Sequence, residues 1–81
     1  MSKDSILERL QDIFRDIFEK DDLVINETTD ASTIEAWDSL AHINLLAAIQ
    51  SDFSISFSID EITDIKNVGD MIDNIQKKMN N

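Results

Sequence analysis

Residues 36–50 read AWDSLAHINLLAAIQ, and the fold turns on where the helix inside this stretch begins. Asp38 can accept the unsatisfied backbone N–H groups of a first turn, so the reading is a helix from about Ser39 to Asp52 capped by Asp38. At about 100° per residue, His42, Leu45, Leu46, Ile49 and Phe53 fall on one side of it. Leu40, Ile43 and Ala47 fall on the other. A surface helix needs only one apolar stripe. The second is therefore a candidate docking surface beside Ser39, with burial under a neighbouring loop as the alternative.

Working towards the amino terminus, residues 21–38 read DDLVINETTDASTIEAWD and follow no helical or strand period. So long a connection is unusual in a compact domain. We expect a wrapped loop that returns Val24, Ile34 and Trp37 to the core, the alternative for Trp37 being exposure to a partner. Before the loop, Ile6, Leu7, Leu10, Ile13, Phe14, Ile17 and Phe18 form one continuous helical stripe. Helix I is placed over residues 3 to about 20, with Asp4 and Glu8 near its start and Lys20 at its end, as the macrodipole favours.

Working towards the carboxyl terminus, FSISFSID at residues 53–60 alternates like a strand. It has no pairing partner elsewhere, and a lone strand cannot satisfy its own backbone. It is read as an extended connector inserting Ile55 and Phe57. Ser58 and Glu61 have capping-box spacing for a short helix III over residues 59–65. Asn67 can cap helix IV, which carries Val68, Met71, Ile72, Ile75 and Met79 on one face and Lys77 and Lys78 in its last turn. The expected core draws on Leu10, Phe14, Ile17, Leu45, Leu46, Ile49, Phe53, Ile72 and Ile75. The fold class is all-α: a small bundle of three longer helices and one short one, in a single domain spanning 1–81.

Composition narrows the chemistry. The chain has 81 residues, no Pro, no Cys and one Gly, with a formal net charge of −10. Without cysteine there is no disulfide, thiolate metal site or thiol nucleophile. Residues 21–65 hold ten acidic side chains and no Lys or Arg, which argues against nucleic acid and for basic protein partners. No apolar run reaches membrane length and no leader-like segment opens the chain, so a cytoplasmic protein without membrane insertion is expected; a monomer is expected as well. Asp21 with Asp22, and Asp60, Glu61 and Asp64, lack the loop pattern of a calcium site; no metal is assigned.

Ser39 is the one candidate for covalent chemistry. It lies where a helix start is hospitable to an anion such as a phosphate ester, although the tripeptide DSL alone more commonly marks an ordinary helix beginning. Asp38, Ser39 and His42 are also the residue types of a hydrolytic triad. Asp38 adjoins the serine, however, and is badly placed to orient the imidazole from behind. No catalytic residue is assigned.

The order of long loop, WDSL, apolar helix ending in Phe53, short helix III and amphipathic helix IV resembles the acyl carrier protein family over essentially the whole length. The resemblance implies an acyl-carrier-like four-helix bundle that catalyses nothing itself. It implies 4′-phosphopantetheine attached to Ser39 by a phosphopantetheinyl transferase, with an acyl or aminoacyl group carried as a thioester. Asp38 and Leu40 would flank the cofactor; Leu40, Ile43, Ala47, Asp60, Glu61 and Asp64 would meet partners. Those partners would be an acyl- or aminoacyl-loading ligase and a downstream transferase or synthase. Two departures stand out: Trp37 replaces the small residue often found before the motif, and Ala41, Asn44, Gln50 and Ser51 stand where fatty-acid carriers usually have acids. They point to a specialised pathway. The rival from another class is an unmodified acidic helical adaptor binding through Leu40, Ile43 and Ala47.

Overall fold

The computed structural model describes residues 2–79; the ends of the expected domain, Met1, Asn80 and Asn81, lie outside the described residues. Four helices follow in order: α1 Lys3–Phe18, α2 Ser39–Phe53, α3 Ile59–Asp64 and α4 Val68–Met79. The described residues contain no strand, and residues 54–58 of FSISFSID form the expected connector, Phe53 closing α2 and Ile59 and Asp60 opening α3. The one strand-like pairing among them is an isolated bridge between Asp30 and Asn67.

Apolar periodicity becomes packing in α1, α2 and α4, with α1 in contact with both of the others. Ile6, Leu10 and Phe14 from α1, Leu45 and Ile49 from α2, and Met71 and Ile75 from α4 are all fully buried. Each such side chain contributes about 1.5–3 kcal/mol by leaving water. Ile17, expected in the core, is only partly buried at its edge. No residue of α3 is buried, but Ile65 just beyond its end is.

The caps explain where the helices start and stop. Ser2 accepts from the Ser5 N–H at the start of α1, and Glu19 ends that helix in the left-handed region at φ 54°. Lys20 therefore lies past the helix end rather than in its last turn. Arg15 takes the position beside the C-terminal carbonyls, and its Nε also donates to the Leu23 carbonyl at 2.7 Å. Ser58 and Glu61 complete a reciprocal capping box on α3. Arg9 reaches from α1 to the far end of α2, binding the Asp52 carboxylate at 2.7 Å and carbonyl at 2.8 Å while covering the Phe53 ring.

The loop wraps as expected, with one correction. Val24 is 72% exposed, whereas Ile25, Ile34 and Trp37 are buried. The side-chain amide oxygen of Gln11 on α1 accepts the Ile25 N–H at 3.1 Å, which together with the Arg15 bond to Leu23 turns Ile25 inward and Val24 out. Farther along, the Thr29 and Glu27 carbonyls accept the Val68 and Gly69 N–H groups at 3.0 and 2.9 Å. Gly69 permits this close approach, because a Cβ there would stand 3.0 Å from the Glu27 carbonyl oxygen. The loop thus ties down the beginning of α4.

Candidate functional site

Asp38 sets the geometry. Its carboxylate accepts the Ala41 N–H at 2.8 Å and its carbonyl accepts the His42 N–H at 2.9 Å, so helical backbone starts at Ser39. The Ser39 side chain is exposed, and the N–H groups of Ser39 and Leu40 have no partner among the described residues. They leave an electropositive helix start beside the hydroxyl. At α4 the corresponding donors are consumed by loop carbonyls and by Asn67, whose side chain accepts the Asp70 N–H at 2.8 Å.

Beside Ser39 an open groove of about 600 Å³ runs between the loop, α2 and the α3 end, lined by Trp37, Asp38, Ser39, His42, Ile43, Ile62, Ile65 and Lys66 among others. Its walls are mainly apolar side chains. Lys66 supplies a cation whose side chain has no ion pair among the described residues. The exposed hydroxyl, the free N–H groups and the apolar groove, with Lys66 on its lining, fit a phosphate ester at Ser39 followed by a flexible, largely uncharged chain.

The remaining candidate residues fall into two groups. Leu40, Ile43 and Ala47 are exposed along α2, Leu40 at 67% and Ile43 at 60%. Asp60 and Asp64 are exposed on α3. Glu61, between them, is already engaged: it accepts from the Ser58 N–H at 2.8 Å and from Lys78 at 2.9 Å. The Ser58 N–H first, and then Lys78, hold its carboxyl below the usual range. Three or more carboxylates or imidazoles arranged to hold a metal do not occur among the described residues.

Two arrangements had no signal in the pattern of residues. Gln50 accepts the Phe57 N–H at 2.8 Å and donates to the Leu46 carbonyl, bracing the connector that α2 leads into. Trp37, packed edge-on against Phe14, donates its indole N–H to His42 Nδ1 at 3.1 Å. That bond also disposes of a triad. Nδ1, which a triad would need as a donor to a carboxylate, is an acceptor here, and Nε2 faces the Ile62 carbonyl instead of Ser39.

Residues 8–75 match the family model described as phosphopantetheine attachment site. The chain belongs to the acyl carrier protein family. The solution structure of a holo acyl carrier protein from Geobacter metallireducens is 40% identical, with 91% of this chain and 85% of that one covered and a TM-score of 0.85. A crystal structure of an acyl carrier protein from Thermotoga maritima shares the fold at 24% identity and a TM-score of 0.85, covering 99% and 93% of the two chains. A comparison of the sequence with curated proteins finds no match. The chain is accordingly a non-catalytic carrier whose cofactor is covalently attached phosphopantetheine, recognised by a phosphopantetheinyl transferase and by biosynthetic enzymes. No helix among the described residues is long and apolar enough to cross a membrane.

Proposed function

We propose that Ser39 is the attachment point, in a single cytoplasmic, monomeric carrier domain over residues 1–81, and that the carrier serves a specialised pathway. A dedicated ligase loads it with an acyl or aminoacyl group, and a transferase or synthase receives that group. The observation that carries this reading is the exposed Ser39 hydroxyl beside two N–H groups with no partner among the described residues. When attached, phosphopantetheine supplies the thiol that a cysteine-free chain lacks. Asp38 fixes the helix start, so the hydroxyl is presented in one place. The Ser39 and Leu40 N–H groups offset part of the charge of a phosphodiester there, and Lys66 lines the same groove.

The case for a specialised client rests on the α2 surface. Leu40, Ile43 and Ala47 give it an exposed apolar strip, while Ala41, Asn44, Gln50 and Ser51 leave its middle without charge. Asp60 and Asp64 on α3 remain for basic residues of a partner. Docking then draws on apolar contact along α2 and charge only at α3. Incubation with a phosphopantetheinyl transferase and coenzyme A tests the assignment. The wild type should gain the mass of the arm, and Ser39→Ala should gain none while its helical circular dichroism stays unchanged. Equal labelling of both would move the site elsewhere, and no labelling of either would favour an unmodified adaptor.

A further inference from the structure

We propose that His42 is a positioning residue: its neutral imidazole joins the loop to α3 across the groove beside Ser39, and protonation releases the loop side. The Trp37 indole N–H is only a donor, so His42 Nδ1, 3.1 Å away, must present a lone pair. In a neutral imidazole the proton then sits on Nε2. Nε2 lies 3.4 Å from the Ile62 carbonyl oxygen, which only accepts. Only one form of the ring, neutral and protonated on Nε2, satisfies both contacts at once; the Nδ1 contact is the one that needs the neutral ring.

The three elements joined are those that wall the groove: Trp37 ends the loop, His42 stands one turn after Ser39 on α2, and Ile62 belongs to α3. The indole and imidazole lie nearly parallel, with centroids 6.0 Å apart and planes 21° from each other. Acid adds a hydrogen to Nδ1, pointing at the indole hydrogen, so a donor faces a donor. Trp37 is only 5% exposed, so its N–H then loses its acceptor with little water at hand to replace it. The contact from Nε2 to Ile62 survives, because a charged imidazole still donates there. Acid therefore loosens the Trp37 wall and leaves the α3 wall attached. The charged groups on the groove are Asp38 from the α2 start and Lys66 from beyond α3. Phe14 and Phe18 of α1, which pack on Trp37, bring no charge, and the Glu61 carboxylate of α3 is held by Ser58 and Lys78.

The first part of the test uses nuclear magnetic resonance on the unmodified protein and stands whether or not Ser39 takes an arm; the second, a labelling rate, rests on the proposed function. At about pH 8 the His42 nitrogens should show the Nε2–H tautomer, with the indole proton of Trp37, the sole tryptophan, protected from exchange. Lowering the pH to about 5 should reduce that protection by about tenfold beyond the chemical effect of pH, in step with the imidazole titration. His42→Gln, which offers a carbonyl acceptor at every pH, should remove the step. The ratio of transferase labelling rates, wild type over His42→Gln, should fall across the same interval. An Nδ1–H tautomer at high pH, protection that ignores the imidazole titration, or a constant rate ratio would each overturn the proposal.

Discussion

The two helix starts that meet the loop, α2 at Ser39 and α4 at Val68, are built from the same chemistry and put to opposite ends. Each has a side-chain cap, Asp38 or Asn67. At α4 the next donors are spent on the Thr29 and Glu27 carbonyls, so the loop locks the bundle. At α2 they are left open beside an exposed hydroxyl. The same division runs through the whole molecule. The α1, α2 and α4 core holds side chains with essentially no exposure, while α3 fully buries none of its own and is held by a capping box, the Lys78–Glu61 pair and the partly buried Ile62. Stability and presentation occupy different regions, and Ser39 can be altered without touching the core.

Substitutions should separate those regions. Phe14→Ala removes a fully buried ring that also supports Trp37, and chemical denaturation should show a loss of about 3–5 kcal/mol. A loss under about 1 kcal/mol would show that the core does not depend on this ring. Asp38→Ala and Asn67→Ala should each cost about 1 kcal/mol, as lost helix caps do. Only Asp38→Ala should also slow transferase labelling; equal slowing by both would erase the distinction between the two helix starts.

Smaller effects concern the α3 side. Because the Glu61 carboxyl is held below its usual range in the folded chain, its contribution is present at neutral pH and is lost as pH falls through that lowered value. Glu61→Gln should thus start less stable, and its melting temperature should fall less on acidification than that of the wild type. Parallel pH curves would detach Glu61 from the anchoring of α3. The least effect expected is from salt: apart from Asp52 and Glu61, which are ion-paired with Arg9 and Lys78, the carboxylates of residues 21–65 repel one another, so moderate salt should raise the melting temperature slightly. A flat response would make that repulsion negligible.

Much of this was legible in the residues themselves. Asp38, Ser58 with Glu61, and Asn67 are local signals, each satisfying a donor within three residues, and the apolar stripes of α1 and α4 follow a fixed period. What the sequence hid depends on partners distant along the chain. Val24 and Ile25 are equally apolar; only the bonds from Gln11 and Arg15 of α1 choose Ile25 for the interior. Gln50 looks like a neutral residue in place of an acid until the Phe57 N–H is found beside it. Ser39 was conspicuous by its place after an acid and before an apolar helix, whereas the groove next to it is assembled from three elements and Lys66.

The most direct measurement of the account is peptide mapping by mass spectrometry on the protein isolated from its own cells. The peptide containing Ser39 should carry phosphopantetheine, free or with its acyl or aminoacyl load, and no other hydroxyl should be modified. A bare Ser39 in material that carries the arm at another residue would contradict it.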